Sequence, residues 1–183
     1  MTFIIHICTS GELVNDENPD PSLSLVEFLR SRGLTGTKVS CAEGSCGACT
    51  VLLSRVGCAD YEEVEELTVT ACTTPITSLH GTHVTTVEGV GGTRDGLHPV
   101  QERLYKCHGS QCGFCSPGMV MSMVGVLRNC PTPDIEDITR GLQVKAYTRG
   151  VFTGSMYPYF VGELVSLYRI STNLGGLFHI FKK

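Results

Sequence analysis

Cys41-Ala42-Glu43-Gly44-Ser45-Cys46-Gly47-Ala48-Cys49 places three thiols in one short loop, and Cys72 follows after 22 intervening residues. C-x4-C-x2-C with a distant fourth cysteine is the spacing of a plant-type [2Fe–2S] ligand set. Three ligands from one loop need a backbone that wraps closely round the cluster. Gly44 and Gly47 suit that role, because glycine takes positive φ freely and lets backbone N–H groups approach sulfur. Contacts of that kind help to set a reduction potential. The competing reading is a structural zinc site, which pairs two C-x2-C units or adds histidines, and neither pattern occurs. Cys72, at the end of a strand candidate, would close the site from across the fold.

The rest of the composition supports a metal over disulfides. The chain has 183 residues and ten cysteines, and six of the ten fall in two tight glycine-containing groups, Cys41–Cys49 and Cys107–Cys115. A secreted, disulfide-stapled domain is usually shorter than about 80–100 residues and spreads its cysteines through loops. Met1–Cys8 is apolar and short with no basic leader, so it reads as a first strand rather than an export signal. A reducing, cytoplasmic location is therefore expected. At 42% hydrophobic and 17% charged the sequence is that of a globular chain, and its net charge of −4 gives no nucleic-acid surface. No apolar run approaches the roughly 20 residues of a membrane span.

Two units of about 90 residues would fit the length. In the first, Phe3–Cys8 and Glu12–Val14 flank a Ser10-Gly11 turn and predict a hairpin. Leu23, Leu25, Val26, Phe28 and Leu29 recur at helical spacing after a Pro/Asp/Ser start. Thr50–Leu53, Glu66–Ala71 and His83–Val87 are β-branched strand candidates, and the acidic stretch Asp60–Glu66 reads as a solvated connection. Glycines between Val90 and Gly96 mark a break. Beyond it the pattern turns helical over Pro99–Lys106, Pro117–Arg128 and Pro133–Leu142, each with proline at or near its start. Residues 143–183 show no clear period.

The second cysteine group, Cys107-His108-Gly109-Ser110-Gln111-Cys112-Gly113-Phe114-Cys115, precedes a Met-rich helix. With it, residues 20–142 resemble the N-terminal iron–sulfur region of the xanthine dehydrogenase and aldehyde oxidase family of molybdenum hydroxylases. The matching stretches are Gly36-Thr37-Lys38, the Cys41–Cys49 loop, Thr85–Gly89, His98–Arg103, His108–Cys115 and Pro117–Asn129, and the span 20–142 that holds them is about two thirds of the chain. The resemblance implies an α+β chain: a β-grasp ferredoxin-like [2Fe–2S] domain over 1–88, then a small all-α [2Fe–2S]-binding domain over 93–142. Residues 143–183 form a divergent tail.

In that family, electrons pass from a molybdopterin centre through the helical-domain cluster and the ferredoxin-like cluster to FAD. The resemblance assigns Cys41, Cys46, Cys49 and Cys72 to the flavin-side cluster. It assigns Cys112 and Cys115 to half of the molybdenum-side cluster and Gln111 to a pterin contact. FAD and molybdopterin belong to further domains or subunits of the full family enzymes, which are usually homodimers. No catalytic residue is expected in this segment.

One departure stands out. The family completes its second cluster with a Cys-Arg-Cys-Thr-Gly-Tyr-Arg-Pro segment, whereas Gly141–Gly150 contains no cysteine and none follows. A sequence faithful to its family up to Leu142 and then unlike it implies a truncated or altered product. Cys107, Cys112, Cys115 and Cys130 mimic the plant-type spacing. However, a helix between Cys115 and Cys130 would separate them by roughly 20 Å at about 1.5 Å per residue. Cys107 and Cys130 read as free thiols, and Cys8 and Cys58 as incidental ones. The six histidines are scattered, so a Rieske-type pairing is not expected. Met119, Met121 and Met123 alternate, which predicts core packing for one or two of them. The alternatives to a relay segment are a stand-alone electron carrier or small subunit, and an inactive truncated isoform.

Overall fold

In the computed structural model, residues 4–9, 12–56, 64–130 and 132–146 are described. Strands β1 (Ile4–Thr9) and β2 (Glu12–Glu17) form the expected antiparallel hairpin. The chain then enters helix α1 (Leu25–Ser31) through a capping box, in which Ser24 Oγ accepts from Glu27 N and Glu27 accepts from Ser24 N. Strands β3 (Thr50–Val56), β4 (Val64–Thr70) and β5 (Thr82–Thr85) complete a sheet of order β2-β1-β5-β3-β4. Among the described strands only the β1–β5 pair is parallel. A mixed sheet with a helix on one face is the expected β-grasp. A helical unit follows it, which makes the chain α+β.

β3 explains why Val51, Leu52 and Leu53 run without alternation. Val51 and Leu53 face the core under α1, with Leu25, Phe28, Leu29 and Val84. Leu52 points the other way, into a second core formed by α3 (Pro99–Lys106), α4 (Ser116–Asn129) and α5 (Ile135–Ala146). A strand covered on both faces needs apolar residues on both.

α4 is the centre of that second core, in contact with β3, β4, α3, α5 and the short α2 (Val87–Val90). Met119, Met121 and Met123 are all at most 2% exposed. The expectation that only one or two would be core is therefore corrected. Met119 and Met123, four residues apart, share one face of the helix and Met121 lies nearly opposite, but neighbours cover both sides. On the sheet side the residues are small: a methyl group on Gly125 would overlap Thr68 Cγ2 and lie 3.5 Å from Leu52 Cδ1.

Other boundaries also shift. Glu65 and Glu66 lie in β4 rather than in a solvated connection; Asp60–Glu63 fall outside the described residues. Cross-strand pairing with β3 draws them in. Glu65 meets Arg55 at 2.8 Å on the exposed face, and Glu66 meets Arg128 of α4 at 2.7 Å with both side chains largely covered. Val87 opens a helical turn instead of ending a strand. The Glu88 carboxylate there accepts from Gly36 N at 2.7 Å, joining two segments far apart in sequence. A 3-10 turn at Ile76–Leu79 gave no sequence signal. α5 starts after Pro133, with Asp134 and Asp137 exchanging backbone-to-carboxylate bonds, and continues four residues past Leu142. The rest of the tail lies outside the described residues.

α3 carries a pH-sensitive cap. His98 Nδ1 accepts from Val100 N at 3.2 Å, and Gln101 Oε1 accepts from His98 N at 2.8 Å. Burial first, and Arg128 second, push the His98 imidazole down to about 4. The folded chain thus binds this proton less readily than the unfolded chain, whose histidine titrates near 6.5. The resulting stability is fully present above about 6.5 and is lost as pH falls toward 4. His83 is lowered by burial and by Arg128, and adds the same sign. Urea unfolding at pH 7 and pH 5 should differ by about 1–2 kcal/mol through His98, and His98→Asn, which keeps a cap acceptor, should remove most of that difference.

Candidate metal centre

The Cys41–Cys49 loop leads directly into β3, and Cys72 lies in the turn that leaves β4, so antiparallel pairing of the two strands brings the four thiols to one end of the sheet. Backbone bonds fix that turn. Ala71 N donates to Cys49 O at 3.1 Å, while Val26 N and Leu25 N at the start of α1 donate to Ala71 O and Thr74 O. The orphan donors of a helix N-terminus therefore brace the turn that carries Cys72.

Within the loop, Gly44 and Gly47 take φ of +81° and +64°, as their place in the sequence predicts. Ala42 also adopts positive φ, +57°. A non-glycine residue there carries a modest strain. The conformation lets Glu43 N and Cys46 N both reach Cys41 Sγ, at 3.5 and 3.4 Å. Ala48 N donates to Cys46 Sγ and Cys72 N to Cys49 Sγ, each at 3.5 Å. Three of the four sulfurs thus accept backbone N–H groups, which favour the thiolate.

The titrations follow from these surroundings. The N–H of Glu43, then the Ser45 hydroxyl and the N–H of Cys46, draw the Cys41 thiol down to about 6. Burial pushes the Cys49 thiol up to about 11 against the help of the Cys72 N–H, with Cys72 and Cys46 opposing a further negative charge. A buried thiol held neutral by its neighbours becomes a thiolate once a cation supplies the missing charge.

Among the described residues no three Cys, His, Asp or Glu side chains converge as one metal ion would require. Side-chain contacts link Cys41 with Cys46 and Cys49 with Cys72, and Cys46 lies near enough to oppose charge on Cys49. Two pairs lined by N–H donors suit two irons better than one zinc.

The second group is differently placed. Cys107 caps the C-terminus of α3, and Cys115 stands at the N-terminus of α4. Gln111 and Cys112 are exposed, and Cys115 is half-buried. Cys130 lies at the opposite end of α4, an unbroken helix, with its Sγ 3.7 Å from Asp137 Oδ2. It cannot join Cys112 and Cys115. A recess of about 340 Å³ lies at the far end of the sheet; among the described residues it is lined by Leu13, Val56, Val64 and His83 with others, none of them a cysteine.

Residues 8–77 match the 2Fe-2S iron-sulfur cluster binding domain family, and residues 86–149 match the [2Fe-2S] binding domain family. The chain is 51% identical over 143 residues to the xanthine dehydrogenase of Drosophila subobscura, covering 78% of this chain and 11% of that protein. It is 56% identical over 134 residues to aldehyde oxidase 4 of Cavia porcellus, covering 73% and 10%. The chain belongs to the N-terminal [2Fe–2S] region of the xanthine dehydrogenase and aldehyde oxidase family. It spans about a tenth of the length of these relatives.

Solved structures agree with the fold. The aldehyde oxidoreductase from Desulfovibrio gigas superposes with a TM-score of 0.75 at 30% identity, over 97% of this chain and 18% of that one. A chain of quinoline 2-oxidoreductase from Pseudomonas putida 86 superposes with a TM-score of 0.70 at 25% identity, over 92% of this chain and 97% of that one. Both cluster-binding domains of the family are therefore present here. No helix among the described residues is long and apolar enough to cross a membrane.

Two residues beside the four thiols were read from the sequence only as parts of a strand and a helix. Thr50 Oγ1 and Thr50 N both donate to Gly47 O, at 2.8 and 3.2 Å. Gly118 of α4 approaches so closely that a methyl group there would overlap Gly47 O and come within 2.9 Å of Ala48 O. The spacing Gly118, Ser122, Gly125, a small-residue stripe on one helix face, was the available signal for the second.

Proposed function

We propose that Cys41, Cys46, Cys49 and Cys72 hold a [2Fe–2S] cluster, and that this segment relays single electrons from a molybdenum centre toward FAD. The observation that carries this reading is the gathering of the four thiols at one end of the sheet, Cys41 against Cys46 and Cys49 against Cys72, with backbone N–H groups aimed at three of the sulfurs. The cluster supplies one-electron redox chemistry when bound. The chain's residues would hold it, shield Cys46 and Cys49 from water, and stabilise the added charge of the reduced state through the N–H donors. FAD and molybdenum domains or subunits are the partners this role requires.

A second site is reduced to Cys112 and Cys115, with Gln111 beside them as the residue for a pterin. Two thiols are half a ligand set. Iron and acid-labile sulfide analysis of the purified chain should therefore give two irons and two sulfides per chain. Four would show that the second site assembles, and none would sink the assignment.

The coverage of the quinoline 2-oxidoreductase chain favours a second reading, a separate small subunit that docks on flavin and molybdenum subunits. Immunoblotting of source cells separates the two. A cluster-bearing band near the size of this chain supports the subunit, and one about ten times larger supports a segment of a single polypeptide.

A further inference from the structure

The Gly47–Ala48 peptide is gripped from two sides. Its carbonyl oxygen accepts both the hydroxyl and the N–H of Thr50, which is buried. The same carbonyl, with Ala48 O beyond it, lies against the bare Cα of Gly118 in α4. Its N–H donates to Cys46 Sγ at 3.5 Å. A peptide unit is planar, so fixing the direction of its C=O fixes the direction of its N–H. Any side chain on Gly118 must displace this backbone, because neither Gly47 O nor Ala48 O belongs to a flexible side chain that could swing away.

We propose that Thr50 and Gly118 are positioning residues for the Cys46 thiolate, clamping the Gly47–Ala48 peptide so that its N–H stays on the sulfur. Through Gly118 the helical half thereby sets the reduction potential of the cluster in the β-grasp half. This rests on the reading that the four cysteines hold a cluster. An N–H donor on a ligand sulfur stabilises the more negative, reduced state, so weakening it moves the midpoint potential in the negative direction.

The test is a redox titration of the full cluster-loaded chain, followed by visible absorbance and electron paramagnetic resonance. Thr50→Val removes the hydroxyl donor and should shift the midpoint negative, while Thr50→Ser should restore it. Gly118→Ala should shift it in the same direction. Gly125→Ala overpacks the same helix against Thr68, away from the loop, and should lower stability while leaving the potential in place. A wild-type potential in Thr50→Val or Gly118→Ala, or an equal shift in Gly125→Ala, overturns the proposal. If Gly118→Ala does not accumulate as folded protein, the Thr50 pair decides: a shift rescued by serine upholds the clamp, and no shift or no rescue ends it. A wild-type chain without iron fails the cluster assignment itself, which the iron count reads independently of any shift.

Discussion

Cys46→Ser is expected to abolish most of the visible absorbance of the purified chain and to bring its iron content close to zero, whereas Cys130→Ser leaves both unchanged. Cys46 is buried and bonded to the neighbouring loop: its N–H donates to Cys41 Sγ, its sulfur accepts from Ala48 N, and its charge is felt at Cys49. A serine oxygen is a harder, shorter ligand that reaches less far toward the irons. Cys130 stands a full helix away from Cys115 and touches Asp137 instead, so its loss removes nothing from either centre. Circular dichroism of both variants separates cluster loss from unfolding. Equal bleaching by the two substitutions would refute the ligand assignment, because only a site spanning both ends of α4 would respond to both.

The spacing of Cys41, Cys46, Cys49 and Cys72 singled out the loop and the turn that strand pairing brings to one end of the sheet, because ligand sets recur in sequence as fixed intervals. The hairpin, α1 and α3 were equally legible: each announces itself within a few residues, through the Ser10-Gly11 turn, through helical spacing after a Pro/Asp/Ser start, or through an N-terminal proline. What the sequence hid was set by residues distant along the chain. Nothing near Glu66 shows that β4 will carry it to Arg128, 62 residues later. The burial of Met119, Met121 and Met123 depends on how many elements surround α4, which a local period does not contain. Val87 has the composition of a strand, yet Glu88 is recruited by Gly36 N and the chain turns there into a helix. Thr50 and Gly118 act on backbone atoms of the loop, and a contact between a residue and a bare peptide leaves no pairwise pattern to read.

Leu52→Ala should cost about 2–5 kcal/mol of stability, the range for truncating a buried leucine in a site that collapses only partly. Leu52 is completely buried, and it is the strand residue that packs with Met119, Met121 and Leu127, while its neighbours Val51 and Leu53 serve the core under α1. Its Cδ1 faces Gly125 of α4, where an added methyl group would lie 3.5 Å away. The loss should therefore be felt first at the seam between sheet and helices. Hydrogen exchange should rise in α4 before it rises in α1, and Leu53→Ala should reverse that order. The same seam presses Gly118 onto the cluster loop. Loosening it at Leu52 should thus make the cluster easier to bleach with denaturant than the unfolding of β3 alone would allow. Coincident loss of helix and absorbance in Leu52→Ala, at the wild-type denaturant midpoint, would show that α4 contributes nothing to the stability of the centre.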